Sequence, residues 1–410
     1  MCTGGDIKAT ERSLRIRYAI RDVVLQAEKL EKAGHNVLKL NIGDPLAYDF
    51  KTPEHVKRGV YKAMEEGKNG YTPSKGVLEL REEIVKKEKK SGVQLEPEDV
   101  IVTTGVTEAL LLIFGATLDS GDEILVPGPT YPPYITYSRF FGGNPVSYRT
   151  VEERGWEPDL EDIKNKITSK TKCIAIINPN NPTGALYSKE TVKAILRLVE
   201  EHNQENENKI FVLSDEIYDK LVFEGEKAPS TASLNPHVPV IILNGISKIY
   251  LAPGWRLGYL AFRDVDGILS QIREGVENIA RSRLCASSIA QYGYLEALRG
   301  EDEFLKDVIA KLKKRRDLCY NEINSIEGLS TTLPKGAFYM FPKIHVTEHD
   351  EKFVLDVLDK VHVLFVHGSG FCERYGKGHF RLVFLPPLPV LEEGLKRLRK
   401  YMHEINKSKD

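Results

Sequence analysis

The sequence predicts an α/β protein built on an open parallel sheet. Short apolar runs recur along the chain. Five of them, at residues 37–42, 100–103, 123–126, 173–177 and 211–213, end in segments rich in Gly, Pro, Asn and Asp. Open parallel sheets gather their ligand-binding residues at the carboxyl ends of the strands. The run at 173–177, CIAII, is apolar throughout, as a strand covered on both faces should be. Helical stretches between the runs, such as 188–202, supply the crossovers that parallel strands need.

Taken in order, residues before about 15 read as a tail. Residues 15–33 carry helical periodicity at Tyr18, Val23, Val24, Ala27 and Leu30. Residues 37–42 alternate as a strand and end in the turn Gly43-Asp44-Pro45. GYTPSKG at 70–76 is a loop, followed by a helix at 77–90. The KKEKK run closing that helix reads as a solvated face, because a neutral charge balance argues against a nucleic-acid patch. After the strand at 100–103, Gly105 opens a helix; a glycine at a helix N-terminus presents free N–H groups and the positive dipole end, which suit a phosphate. The strand at 123–126 leads into PGPTY, that at 173–177 into NPNNPTG, and that at 211–213 into SDEIY.

The segment at 245–258, GISKIYLAPGWRLG, lies between apolar runs at 238–243 and 257–262. Ser247, Lys248 and Arg256 therefore sit in a loop between two strands. Burial and nearby cations lower a lysine's pKa and expose a neutral amine that traps carbonyls. The arginine eight residues on offers a fork for a phosphate. A long helical region starts near 265. Helix 305–324 carries KLKKRR, again read as a solvated face. Strands at 337–341, 361–366 and 380–384 and a helix at 391–405 suggest a small α/β domain. Within it Arg381 stands among apolar neighbours, and a half-buried arginine needs an anionic partner.

Bulk properties narrow the function classes. A chain of 410 residues suggests two or three domains. With 41% hydrophobic and 29% charged residues it is ordinary for a globular protein. A net charge of −1 gives no global attraction to nucleic acid or anionic membrane. The five cysteines (Cys2, Cys173, Cys285, Cys319 and Cys372) lack CxxC spacing and read as reduced thiols of a cytoplasmic protein with no metal site. The start, MCTGGDIKATERS, has no apolar h-region. The longest apolar run, near 109–118, is about ten residues, too short to span a bilayer.

The string at 245–258 resembles the lysine signature of the class I/II aminotransferases, enzymes of fold type I that use pyridoxal 5′-phosphate (PLP). The resemblance runs from about Tyr18 to the last helix. It implies a large PLP-binding domain over 50–295 with a seven-stranded, mostly parallel sheet. It also implies a small α/β domain built from both chain ends, 1–49 and 296–410, and a homodimer with shared active sites. Lys248 would attach the cofactor and act as the base at the substrate α-carbon. Asp215 would face the pyridine nitrogen, Tyr218 and Asn181 the ring oxygen, and Tyr131 the ring face. The backbone of Gly105, Val106 and Thr107, with Arg256, Ser247 and Tyr71 reaching from the other subunit, would hold the phosphate. Gly43, Asn181 and Arg381 would receive the substrate carboxylate.

YAIR at 18–21 and RLCA at 283–286 are similar to the alanine aminotransferase branch. They imply alanine and 2-oxoglutarate as the amino acid and 2-oxo acid, with Tyr18 and Arg21 near the substrate. Arg21 and Arg283 are the two candidate cations for a distal carboxylate, and Arg21 is favoured. Many relatives carry serine where this chain has Gly245, and Ser247 is the candidate replacement. Within the fold the alternatives are an aspartate or aromatic aminotransferase or a carbon–sulfur β-lyase. A DNA-binding regulator with an aminotransferase-like domain is not expected, because only about forty residues precede Gly43 and they read as one helix and one strand.

Overall fold

The computed structural model describes residues 7–14, 16, 19–224 and 227–407. Helix Ala19–Lys32 leads to β1 (Leu38–Lys39). The large sheet follows, from β2 (Val100–Thr103), β3 (Glu123–Gly128), β4 (Asn144–Val151), β5 (Glu157–Pro158), β6 (Thr171–Ile177), β7 (Phe211–Asp215), β8 (Val240–Gly245) and β9 (Gly258–Arg263). Its order is β2-β9-β8-β7-β6-β3-β4-β5. From β8 across to β4 all pairings are parallel, while β9 runs antiparallel to both β8 and β2. The seven expected strands are present, and the two-residue return β5, antiparallel to β4, adds an eighth at the edge.

Side-chain alternation explains why the strands are apolar throughout. Val212, Val240, Ile242, Ile174 and Ile176 face one core; Leu213, Ile241, Leu243, Cys173 and Ala175 face the other. Each fully buried aliphatic side chain contributes about 1.5–3 kcal/mol. Crossover helices cover both faces. In Lys189–Glu205 the buried residues Val192, Ile195, Leu196, Val199 and Asn203 form one stripe. Ser188 caps this helix by accepting from Thr191 N at 3.1 Å, and Asn206 ends it in extended backbone.

The last third of the chain carries β10 (Leu329–Ser330), β11 (Tyr339–Met340), β12 (Lys343–Ile344), β13 (Val363–Leu364), β14 (Val366–His367) and β15 (Phe380–Val383). Helices Phe304–Asn324, Asp350–Val361 and Leu388–Lys407 pack beside them. Strands β11, β15 and β14 form a three-stranded sheet, and β1 pairs in parallel with β13, so segments from the first and last parts of the chain meet. The strand expected over 361–366 is divided. Val361 ends a helix, His362 caps it in the left-handed region (φ 58°, ψ 42°), and β13 and β14 follow.

Both lysine- and arginine-rich runs depart from the solvated faces expected of them. In helix Leu78–Lys90 the buried stripe is Leu80, Ile84 and Glu88, so helical phase carries Glu88 into the core with Lys87 beside it. In helix Phe304–Asn324 the stripe Leu305, Val308, Leu312, Arg315, Arg316 and Cys319 takes in both arginines. Arg315 pairs with Asp49 at 2.7 Å and Arg316 with Glu224 at 2.9 Å, which offsets their desolvation. Among the described residues no helix is long and apolar enough to cross a membrane.

Candidate active site

The site forms where β7 and β8 end and the chain's two ends cross over them. Lys248 lies in the connection between β8 and β9, and its Nζ donates to the Gly43 carbonyl at 2.8 Å. Burial lowers the amine to about 8; Asp44 and Asp215 oppose this, while the Arg381 and Arg256 charges add to it. The Phe338 ring lies 5.5 Å from the same nitrogen.

Asp215 closes β7 and is 3% exposed. Its Oδ2 accepts from the Tyr134 hydroxyl at 3.0 Å and its Oδ1 from Ile217 N at 3.2 Å. Burial pushes its carboxyl up to about 6, against the pull of these hydrogen bonds and of Lys248. Tyr134 was not singled out from the sequence; its signal is the second tyrosine of TYPPY at the opening of helix Pro133–Phe140. Tyr131, partly buried, packs against the apolar cluster that contains Tyr134.

Tyr218 lies in the turn after β7 and shares a 2.8 Å hydrogen bond with the Tyr339 hydroxyl. Tyr339 is a second residue that sequence reasoning passed over, because its run reads as strand alone. It also explains Gly43: a Cβ there would come within 2.5 Å of the Tyr339 oxygen. Arg381, on β15, is 1% exposed. Its Nη1 donates to Asn181 Oδ1 at 2.9 Å and its Nη2 to the Asn41 carbonyl at 2.7 Å. The rings of Tyr339 and Phe371 face the guanidinium at 4.7 and 4.9 Å.

A third group converges on the first turn of helix Gly105–Thr117. Arg256 adopts the left-handed region (φ 51°, ψ 58°) and brings Nη2 to 3.4 Å from Thr107 Oγ1. A Cβ on Gly105 would lie 3.0 Å from that Nη2, and one on Gly258 would lie 3.0 Å from Val106 N. Glycine at both places lets strand end, loop and helix N-terminus meet. Gly245 is equally constrained: a Cβ would lie 2.7 Å from Leu257 O and 2.8 Å from Gly258 Cα. This backbone leaves no room for the serine that the resemblance suggests at that position. Ser247 is close by in sequence and 8% exposed.

The other candidates lie apart. Tyr71 is 85% exposed and projects into solvent. Arg21 is exposed on helix Ala19–Lys32, and Tyr18 lies outside the described residues. Arg283 lies 3.3 Å from Glu108 Oε1 and donates to the Val102 carbonyl at 2.6 Å.

A phosphorylated pyridine aldehyde fits this arrangement. The helix N-terminus and Arg256 suit its phosphate. The buried Asp215 suits a cationic ring nitrogen, and Lys248 suits the aldehyde. The model of the family "Aminotransferase class I and II" matches residues 35–398. Glutamate-pyruvate aminotransferase AlaA of Haemophilus influenzae is 36% identical over 395 residues, 94% of this chain and 96% of that protein. A probable aspartate/prephenate aminotransferase of Aquifex aeolicus is 37% identical over 396 residues, 93% of this chain and 95% of its own length. The solved structure of alanine aminotransferase from Pyrococcus furiosus superposes with a TM-score of 0.93 at 55% identity, covering 97% of this chain and all of that one. With the family model matching residues 35–398 and relatives covered along nearly their whole length, the chain belongs to the class I and II aminotransferases.

Proposed function

We propose that the protein transfers the amino group between alanine and 2-oxoglutarate, giving pyruvate and glutamate, with pyridoxal phosphate attached at Lys248. The observation that carries the reading is the Lys248 amine, lowered to about 8, with Asp215, Arg381 and Arg256 close enough to act on its charge. When bound, the cofactor supplies an electrophilic carbon and a ring that draws electrons from the substrate α-carbon.

The chain's own residues do the rest. Lys248 Nζ would hold the cofactor's aldehyde carbon and, once the incoming amino group takes over that carbon, would be the free amine that moves the proton at the substrate α-carbon. Asp215 holds a proton on the ring nitrogen through its adjacent negative charge, and Tyr134 holds Asp215. Tyr218 and Asn181 serve the ring oxygen, and Tyr131 stacks on the ring. The N–H groups of Gly105, Val106 and Thr107, with Arg256 and Ser247, bind the phosphate. Arg381 and Asn181 grip the substrate α-carboxylate beside Gly43. Arg21 with Tyr18 reads the distal carboxylate of 2-oxoglutarate. Arg21 is preferred over Arg283 because Arg283 already meets Glu108 and the Val102 carbonyl.

We further assign residues 50–295 to a cofactor domain and 1–49 with 296–410 to a second, a division supported by the β1–β13 pairing. The active form is a homodimer in which Tyr71 reaches the partner's phosphate. Its exposure in the single chain supports this. The four described cysteines are free thiols, which supports a cytoplasmic location.

A panel of amino donors with 2-oxoglutarate tests the substrate. Alanine should give the highest kcat/KM. Aspartate, favoured as a second reading by the Aquifex aeolicus relative, should be slower; the reverse order sinks the alanine assignment. Borohydride reduction followed by peptide mapping should place the cofactor label on Lys248 and on no other lysine.

A further inference from the structure

The buried lysine of the KKEKK run leads from the back of the sheet into the site. Lys87 Nζ lies 2.9 Å from Glu88 Oε1, 3.1 Å from Asp219 Oδ2 and 3.2 Å from the Tyr259 hydroxyl. The Tyr259 hydroxyl also donates to Glu88 Oε1. Asp219 is the residue after Tyr218, and its Oδ2 accepts a second hydrogen bond, from Asn244 Nδ2 at 3.0 Å. Asn244 is 1% exposed, and its Oδ1 accepts from Gly245 N at 2.7 Å. Gly245 pairs with Gly258 across β8 and β9. Gly258 in turn lies so close to Val106 N that a Cβ would come within 3.0 Å of it.

We propose that Lys87 is a positioning residue for the catalytic loop. Acting through Asp219 and Asn244, it fixes the turn that carries Tyr218 and the strand end from which Ser247 and Lys248 depart. The proposal rests on the assignment of Lys248, Tyr218 and the Val106 amide to cofactor binding given above. Its physical basis is charge. Two carboxylates, Glu88 at 0% and Asp219 at 14% side-chain exposure, meet at one ammonium. Glu216 and the tyrosines 250, 259 and 294 surround the same group. Without the ammonium, the two carboxylates lose the cation between them and repel each other, and either they draw apart or Asp219 turns towards water. Either response weakens the acceptor that Asn244 holds. Asn244 then loses its reason to keep Oδ1 on Gly245 N. The tight glycine-on-glycine packing passes any shift on to Val106, because close-packed backbones have no slack to absorb it.

The test uses the holoenzyme. Lys87→Met and Lys87→Arg are compared with Ile84→Val, a truncation at a 0% exposed position of the same helix. PLP retention on dilution, the pH midpoint of the visible cofactor band, kcat, and KM for alanine are measured, with Tm alongside. Lys87→Met should lose PLP about tenfold more readily, shift the midpoint, and lower kcat about tenfold with KM within about twofold of wild type. Lys87→Arg, which keeps the charge, should restore most of this, and Ile84→Val should lower only Tm.

The proposal is overturned if Lys87→Met lowers Tm yet leaves retention and midpoint at the wild-type values, or if Ile84→Val changes them equally. Should Lys87→Met not fold, Asn244→Ala cuts the relay at its middle with the charges still paired. Unchanged PLP retention and midpoint in that variant overturn the proposal too. A wild-type protein that takes up no PLP would instead sink the assignment of the site, so the two failures are distinct.

Discussion

Lys248 and Asp215 titrate in opposite senses, and both can be followed in the cofactor-free protein. The Lys248 amine falls to about 8 in the fold from a reference of 10.5. Between those values the unfolded chain keeps a proton that the folded chain has released, so this group's contribution to stability rises with pH across that window. Selective amine labelling at Lys248 should show a midpoint near pH 8; a midpoint above 10 would mean that the amine is not desolvated. Asp215 is raised to about 6 from 3.8, so its contribution falls as pH rises through that interval. Replacing Asp215 with Asn should lower turnover by several orders of magnitude, since a preorganised charge of this kind is worth about 3–4 kcal/mol or more of barrier. Near-normal turnover would reduce Asp215 to a structural role. Arg21→Met should raise KM for 2-oxoglutarate by roughly tenfold, about 1.4 kcal/mol, while that for alanine changes much less; equal losses would make Arg21 a general support. Lys248, Asp215, Asn181 and Arg256 stand at strand ends or inside distinctive strings, and Arg381 stands among apolar neighbours, which is what marks them as candidates in the sequence. Tyr134 and Tyr339 were not legible, because their partners lie 81 and 121 residues away and nothing local marks the meeting.

At the scale of elements, strand existence was legible and helix faces were less so. Apolar runs bounded by Gly and Pro locate β2, β3, β6, β7, β8 and β9 to within a few residues, but they do not mark β4 or β5. Charge runs do not report burial until they are placed in helical phase. Glu88 repeats Leu80 and Ile84 at a spacing of four, and Arg316 and Cys319 continue the stripe from Leu312. The run at 361–366 was misread because a short apolar stretch does not reveal that its second residue caps a helix. The junction of β8 and β9 yields a prediction at this scale. Gly245→Ser would supply a hydroxyl beside the proposed phosphate site, yet its Cβ would strike Leu257 O and Gly258 Cα. The overpacking should destabilise by about 1–3 kcal/mol and loosen PLP instead of tightening it. Thermal denaturation and PLP titration decide this; a variant that binds PLP more tightly with unchanged Tm would show that the strand end yields.

For the molecule as a whole, the assembly is the nearest prediction. The protein should sediment as a dimer, and a chain carrying Tyr71→Phe and Lys248→Ala, mixed with wild type, should give hybrids with two unlike sites. A monomer with full activity would remove Tyr71 from the site. The pairing of β1 with β13 has a consequence in time as well as in space. Arg381 reaches back 340 residues to the Asn41 carbonyl, and Lys248 reaches back 205 residues to Gly43. On a ribosome, the segment around Gly43 emerges 340 residues of synthesis ahead of the strand whose arginine it meets. The large sheet is complete once Arg263 has emerged, so Lys248, Asp215 and the proposed phosphate cradle can come together while Arg381 is still unsynthesised. Closing so long a loop comes late because its entropy must be overcome before the contact rewards it. On this order of synthesis the proposed cofactor cradle would precede the proposed grip on the substrate.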